Sequence, residues 1–372
     1  MADLGIAQRL KSIRESLGLK ITDASKKLEF ENYQTLTQIE NGKRDIKASE
    51  LSKFCNIYYC TITQILGYEE PFLNPVFKWR NTPKENKTEI EREILFKCNQ
   101  YHLVESLLGI KPLKNFDDVT LEEINSNDKV SSLAHNISKK LKLGQRPAFS
   151  LQKVLEQNYG IKILYYSFSD GSAVSSVIPV IGKVIVINND EPLWRQNFDL
   201  AHELFHLLTW KAVVSIQNNQ NYEYNNETEK KADIFASVLL LPEKEITIKI
   251  GKSKSISLAD CVDIAIEFGV SSQALLYRLY DLNYISFDKV HKIAQSSQLK
   301  NINIQKRSNK IWSRNESERF ISLAIHCLRK GLISRGKFAE LVGIKDRSDI
   351  DNFIAERGLM GEEGNPIEIT FT

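Results

Sequence analysis

The stretch that decides the fold of the central part of the chain is NFDLAHELFHLLTW, residues 197–210. Residues four apart lie on one face of an α-helix, so His202 and His206 can bind the same metal ion. Glu203 follows the first histidine and can reach a water molecule bound to that metal. The spacing therefore indicates a zinc site with a general base, and the alternative is a pair of hydrogen-bonded core histidines.

A second helix downstream supplies candidates for the third protein ligand that catalytic zinc needs. Residues 227–242 read ETEKKADIFASVLLLP, and the apolar stripe of this helix, extended back by three residues, reaches Glu229. A carboxylate that faces the core needs a cation or a hydrogen-bond partner, because burying an unpaired charge is costly. We predict Glu229 as the third ligand and Glu227 as the second choice. The alternative for Glu229 is an exposed acid that interacts with the helix dipole.

Taken together and in this order, these motifs resemble the ImmA/IrrE family of zinc metallopeptidases. The similar region covers about residues 130–285 and includes VIVINNDEPLWRQNFDLAHELFHLL, the later E-x-x-A-x-x-F-A-x-x-L-L-x-P pattern and IAIEFGVSSQALLYRLYDLNYI. The resemblance implies a zincin-like domain of helices over a short sheet. It also implies that His202, His206 and Glu229 hold zinc and that Glu203 is the catalytic base. Members of this family cleave helix-turn-helix repressors and so switch on stress-response or mobile-element genes.

One residue departs from the family pattern, which more often has Asn where this sequence has Asp233. Its carboxylate adds a negative charge near the predicted metal. The sequence also leaves open which side chain assists zinc in stabilising the oxyanion. The candidates are Tyr165, Tyr166 and Arg195.

The predicted chemistry is hydrolysis of a peptide bond. Zinc brings the pKa of its bound water toward neutrality, and Glu203 accepts the proton and returns it to the departing amine. The sequence therefore predicts a zinc endopeptidase that cleaves a repressor. The alternative is a DNA-binding transcriptional regulator or antitoxin-like protein without enzymatic activity, in which the zinc site is structural or senses zinc.

The N-terminal residues 1–67 predict a run of short helices without a strand. Within them, ITDASKKLEFENYQTLTQIENGKR contains two short helices separated by a turn, and residues 6–67 resemble the Xre or Cro/repressor class of helix-turn-helix domains. The small residues Ala24 and Ser25 let the two helices approach each other. Glu29 departs from the class, which usually has glycine at this turn.

This resemblance implies a DNA-binding face at the start of the third helix, which enters the major groove. The 10 basic and 8 acidic residues of 1–67 give this segment a charge of only +2, so DNA binding is expected to be modest unless the protein dimerises. The alternative is a helical module that binds protein. The candidates for contacts with base edges are Gln34, Thr35, Thr37 and Gln38, and those for contacts with phosphates are Lys43 and Arg44.

Local patterns predict a mainly helical α+β protein with a small sheet. Ile90–Leu108 reads as one long amphipathic helix, which packs against its own protein or pairs with a second copy. Breaks in composition mark linkers at Pro71–Pro83 and Asn115–Asp128. The predicted strands lie at 161–168, 174–180 and 183–187.

The length of 372 residues allows two or three domains at about 150 residues each. The predicted divisions are a helix-turn-helix domain at 1–67, a helical linker region at 68–128, a metallopeptidase domain at 129–295 and a helical C-terminal module at 296–372.

Charge and cysteine content exclude several classes of protein. A net charge of +3 with 26% charged residues excludes general disorder and the coating of a polyanion. The five scattered cysteines include no C-x-x-C pair, which argues against a disulfide framework and favours a reducing compartment. The longest apolar stretch, Val177–Ile187, is too short to span a bilayer. We therefore expect a cytoplasmic protein without a membrane partner, whose partners are operator DNA and a repressor.

Overall fold

The computed structural model describes residues 4–68, 75–80, 83–84, 86–214, 226–251, 255–307, 314–344 and 346–357. Helices dominate these residues, and four short strands form one mixed sheet, which confirms the predicted α+β class. The strands are β1 (Lys78–Trp79), β2 (Lys162–Tyr166), β3 (Ala173–Ile178) and β4 (Gly182–Asn188). The helices are α1 (Leu4–Ser16), α2 (Ile21–Lys27), α3 (Tyr33–Glu40), α4 (Ala48–Tyr58), α5 (Ile62–Leu66), α6 (Lys87–Leu107), α7 (Asn127–Leu141), α8 (Pro147–Tyr159), α9 (Leu193–Leu208), α10 (Trp210–Val214), α11 (Asn226–Leu240), α12 (Glu243–Ile250), α13 (Leu258–Glu267), α14 (Ser272–Asp281), α15 (Phe287–Ala294), α16 (Ser297–Arg307), α17 (Glu318–Arg329), α18 (Arg335–Val342) and α19 (Ile350–Glu356).

The first five helices pack around their own apolar core, whose largest buried side chains include Leu10, Phe54 and Tyr58. Arg14 on α1 forms a buried ion pair with Glu40 at the end of α3, with Nε 2.7 Å from Oε1. This bond joins the first helix to the third, because a buried guanidinium needs a carboxylate partner. The short helix α5 was not foreseen from the sequence.

In the turn between α2 and α3, Glu29 occupies the position where the helix-turn-helix class usually has glycine. This residue has φ of 59°, the left-handed conformation that glycine adopts most easily. Its side chain points to solvent and lies 2.5 Å from the ammonium of Lys53. Asn32 then begins α3, since its side chain accepts a hydrogen bond from the amide of Thr35 at 3.1 Å.

The sheet has the order β1-β3-β4-β2. The inner strands are rich in β-branched residues and are buried, as expected of a sheet covered by helices. Strand β2 runs parallel to β4, and β3 runs antiparallel to both β4 and β1. Strand β1 lies in the segment that the sequence predicts as a linker, so part of that segment belongs to the sheet.

One long helix packs directly on the inner strands, and two more pack behind it. Helix α9 packs against β3 and β4, and α11 packs against both α9 and α7. Phe205 on α9 contacts Phe235 on α11, with ring centroids 5.5 Å apart, inside the central apolar core. This packing holds one face of α9 against α11.

The chain divides into two compact units, one of residues 1–97 with 112–316 and one of residues 98–111 with 317–372. In the second unit, Ile325 and Phe338 lie in a small apolar core, and Arg319 donates to Glu105 at 2.6 Å. The predicted long helix forms as α6. The domain boundaries drawn from the sequence stay predictions.

Two further features concern the described residues as a whole. All five cysteines are buried free thiols. No helix in these residues combines the length and the apolar character needed to cross a membrane.

Candidate metal centre and nucleic-acid interface

The candidate metal centre forms where the buried face of α9 meets the start of α11. His202, Glu203 and His206 are at most 2% exposed, and one ligand atom from each lies within 4.8 Å of the others. The apolar residues on either side bury α9 almost completely from Gln196 to its end. Polar side chains inside an apolar core need partners, and a metal ion would be one for the two histidines.

The carboxylate of Glu229 lies close to the Nε2 atoms of both histidines. Its Oε2 is 3.1 Å from Nε2 of His202, its Oε1 is 3.3 Å from Nε2 of His206, and the two Nε2 atoms are 3.1 Å apart. Zinc bonds of about 2.0–2.1 Å at tetrahedral angles separate neighbouring ligand atoms by about 3.3 Å. The three donor groups therefore fit zinc.

Electrostatics leaves two of the three candidate ligands, Glu229 and His206, ready to bind a cation. Burial alone raises the pKa of Glu229, but hydrogen bonding to the two histidines lowers it well below its usual range. Burial lowers the pKa of His206 to about 4. A carboxylate that stays ionised and an imidazole that stays neutral are the forms that bind zinc.

Glu203 is buried beside this triangle and does not belong to it. Among the described residues, neither of its carboxylate oxygens has a hydrogen-bond partner of normal geometry. Burial raises the pKa of Glu203 to about 7, although the nearby histidine His202 and the Ser175 hydroxyl act in the opposite direction. A carboxyl group with a pKa near neutrality can both accept and donate a proton, which is the requirement for a general base that later acts as an acid.

The carboxylate of Asp233 has two partners in the structure. His202 donates from Nδ1 to Oδ1 of Asp233 at 2.8 Å, which orients the ring and leaves Nε2 directed at Glu229. Arg80 donates to the same oxygen at 2.8 Å and also to the fully buried Asp199. The charge that Asp233 adds is therefore balanced by an arginine from outside the central domain.

Sequence reasoning missed Arg80 because it lies in the segment interpreted as a linker. Local pattern assigns that segment to a boundary from its prolines, asparagines and aromatic residues. The run Lys78-Trp79-Arg80, with two basic side chains on the same side of an extended segment, was the available signal.

The predicted DNA-binding residues lie on and after α3. Gln34 and Gln38 are exposed and one helical turn apart, so they share a face. Thr35 and Thr37 are partly buried, and their hydroxyls bond to Asn32 and to the backbone of Tyr33.

The two predicted phosphate ligands differ in their surroundings. Lys43 is exposed, whereas Arg44 donates to Glu50 at 2.8 Å and stacks over Phe30. Lys43 therefore has the freer cation for a phosphate. Arg44 must exchange its carboxylate partner before it can bind one.

Comparisons with known proteins agree with both resemblances drawn from the sequence. Residues 10–65 match the family model of a helix-turn-helix domain, and residues 156–280 match that of the IrrE N-terminal-like domain. The chain joins a helix-turn-helix domain to an IrrE-like domain. The helix-turn-helix domain supports a DNA-binding regulator, and the family of the IrrE-like domain suggests a metal-dependent peptidase.

One similar solved structure is a Mycobacterium tuberculosis transcriptional regulator. It shares 16% sequence identity with a TM-score of 0.29, over 49% of this chain and 52% of that chain. The chain thus matches about half the length of that protein. No curated protein is significantly similar to the sequence.

The other candidates in the IrrE-like domain have partners of their own. Glu227 is exposed and lies 2.7 Å from Lys231, so the structure directs Glu229 and not Glu227 at the histidines. The phenols of Tyr165 and Tyr166 donate to Gln152 and Glu93. Arg195 lies 3.2 Å from Asp199.

Proposed function

We propose that the chain is a zinc-dependent endopeptidase with a DNA-binding domain, which regulates transcription by cleaving a helix-turn-helix repressor. The triangle of donor atoms from His202, His206 and Glu229, with the buried carboxylate of Glu203 beside it, carries this proposal. A site that only holds the fold has no need of an additional buried acid beside the three ligands. Burying that acid is costly, which favours a chemical role.

In this proposal, the residues of the IrrE-like domain have different roles in hydrolysis. His202, His206 and Glu229 would hold zinc, which when bound supplies an acidified water and a positive charge for the developing oxyanion. Asp233 fixes the tautomer of His202 by accepting from Nδ1. Glu203 takes a proton from the attacking water at a carboxylate oxygen and delivers it to the nitrogen of the departing amine.

The helix-turn-helix domain brings this chemistry to DNA. In our proposal, Gln34 and Gln38 read base edges from the major groove, with Thr35 and Thr37 beside them. Lys43 binds a phosphate, and Arg44 does so after leaving Glu50. A peptidase tethered to an operator has a raised effective concentration near repressors bound to the same DNA. The circuit is then a stress response or the control of a mobile element.

The decisive experiment compares the wild-type chain with Glu203→Gln in cells under DNA damage. Fragments of this chain and of neighbouring repressors are followed by mass spectrometry. We expect a repressor fragment that forms only when Glu203 is intact, with equal zinc content in the two purified proteins. The matched control is Glu227→Gln, which changes an exposed carboxylate of α11 and should cleave as wild type does.

Identical proteomes in the wild-type and Glu203→Gln cells, with an unchanged transcriptional response, would overturn the peptidase proposal. They would favour the alternative of a regulator without enzymatic activity that is stabilised by zinc.

A further inference from the structure

A segment of the chain from outside the IrrE-like domain lies along the sheet edge next to the metal centre. In this segment, residues 76–80, the amide of Arg80 donates to the carbonyl of Ala173 at 3.1 Å, and the Ser176 hydroxyl donates to the carbonyl of Val76 at 2.9 Å. Lys78 is paired with Ser175, the β3 residue whose hydroxyl is close to Glu203. The backbone of β1 therefore covers the edge of β3 beside the proposed general base.

The edge of a β-sheet is a natural receptor for an extended peptide, because its unpaired amide and carbonyl groups bind a further strand. A peptidase binds its substrate as extended backbone, and main-chain hydrogen bonds beside the reacting groups align it. Without β1, the free edge of β3 would offer such groups next to Glu203. Residues 76–80 thus lie where an extended substrate would bind.

Both basic side chains of this segment interact electrostatically with acidic groups of the metal centre. Lys78 is only 5% exposed, and its ammonium lies 4.6 Å from the centre of the Trp210 ring. Burial lowers the pKa of Lys78 to about 8, and the charge of Glu203 opposes this shift, so the two groups are within electrostatic reach. Arg80, two residues later and on the same side of the strand, binds Asp199 and Asp233.

The opposite side of the strand is fixed separately. Trp79 packs edge-on against Phe168, with ring centroids 5.2 Å apart, and its indole donates to Glu91 at 2.8 Å. Trp79 therefore anchors one side of the segment, and the basic side chains on the other side lie near the acidic groups of the centre. This arrangement resembles a bound peptide more than a spacer between domains.

We propose that residues 76–80 occupy the peptide-binding edge of the metal centre in cis, and that this edge selects extended peptides with basic residues two positions apart. The inference rests on the proposed peptidase function and names its substrate class. One subsite lies between Glu203 and Trp210, and the other is the carboxylate pair Asp199 and Asp233. A substrate must displace β1, and its second basic residue then replaces Arg80, since Asp233 needs a cation near it.

The test measures binding of a labelled synthetic peptide, PVFKWR, to the full-length zinc-loaded chain by fluorescence anisotropy. Lys78→Glu places a carboxylate beside Glu203 and should expel β1. We expect this variant to bind the peptide about tenfold more tightly than the wild type. Removal of the competing segment β1 raises the fraction of chains whose peptide-binding edge is free. The matched control is Lys84→Glu, an exposed residue with the same charge change, which should bind as the wild type does.

A second variant and a second peptide protect the test from a folding artefact. Trp79→Ala removes the contacts of β1 with Phe168 and Glu91 without altering the charge at the metal centre. This variant should also bind the peptide more tightly. Zinc content is measured for each protein. The peptide PVFAWA, which lacks both basic side chains, should bind about tenfold more weakly than PVFKWR.

The outcomes separate this inference from the function on which it rests. Equal binding of the two peptides, or equal binding to the wild type, Lys78→Glu and Trp79→Ala chains, would overturn the inference even if repressor cleavage is observed. Tighter basic-peptide binding to both variants supports it even if the peptide stays intact, and mass spectrometry of the same samples shows whether hydrolysis follows.

Discussion

The helix-turn-helix domain and the IrrE-like domain present their candidate functional groups in opposite ways. Gln34 and Gln38 are exposed on one short helix, and the apolar core behind that helix is formed by residues of 4–68. The metal centre is buried, and its network extends from Arg80 to Asp233, more than 150 residues apart. A surface that reads DNA needs only a rigid local support, whereas a buried metal centre has to gather and neutralise charges from distant segments.

The two regions also use buried arginines differently. Arg14 pairs with Glu40 inside one small domain and holds two helices together. Arg80 pairs with Asp199 and Asp233 and so connects the inter-domain segment to the metal centre. In the first case the ion pair joins two helices of one domain, and in the second it neutralises carboxylates beside the candidate metal centre.

The largest expected effect is on zinc binding. Structural zinc binds with about 10–16 kcal/mol in small sites, so one of four ligand positions is worth roughly 2.5–4 kcal/mol. Glu229→Ala should therefore weaken zinc binding several-hundred-fold, as measured by competition with a chelator of known affinity. Glu227→Ala, two residues earlier and exposed, should leave it unchanged. Full zinc affinity in Glu229→Ala would place the third ligand elsewhere.

A comparable effect on stability is expected in the other domain. Arg14→Met leaves the buried carboxylate of Glu40 without its cation, and breaking a buried pair in this way costs about 3 kcal/mol. Amide hydrogen exchange of peptides from α1 to α4 measures this loss in the full-length chain. Lys11→Met on the exposed side of α1 is the control, and equal exchange in both variants would show that the pair is dispensable.

Two changes on the predicted DNA-binding face should behave differently from each other. Gln38→Ala should lose about 1–3 kcal/mol of discrimination at one base pair of the preferred operator. Lys43→Ala should weaken binding to all sequences alike. It should also reduce the slope of log K against the logarithm of the salt concentration by about 1. A binding screen of random duplexes at two salt concentrations separates the effects. Absence of any preferred sequence in the wild type would favour the protein-binding alternative for this domain.

The smallest effect is expected at the turn before α3. Glu29→Gly relieves a left-handed backbone but loses a solvent-exposed ion pair with Lys53, so the melting temperature should hardly change. Glu29→Ala keeps the backbone strain and loses the same ion pair. Its melting temperature should be lower than that of the glycine variant, and the reverse order would show that the backbone conformation is not strained.

Much of the fold could be predicted from the sequence, because local patterns of apolar residues indicate where the longer helices and strands lie. Short β-rich runs predicted β2, β3 and β4 within a few residues, and helical spacing predicted the long helix α6. The family models confirm the two domain types. Short elements such as α5 and β1 were missed, since a few residues carry too little periodic signal.

For the metal centre, spacing along single helices determined which residues to consider. His202, Glu203 and His206 follow from the helical repeat, and Glu229 follows from the stripe of its own helix, which the structure brings within 3.3 Å of both histidines. The roles of these residues stay predictions until zinc and cleavage are measured.

Only the tertiary structure decided what surrounds the metal centre. It brings Arg80 to Asp233, and it places Lys78 in the neighbourhood of Glu203. No pattern in the sequence contains these contacts, because they depend on an edge strand pairing across about 95 residues and not on the repeat of any one helix. The sequence determines which faces are buried, and the packing of those faces determines which charges must neutralise one another.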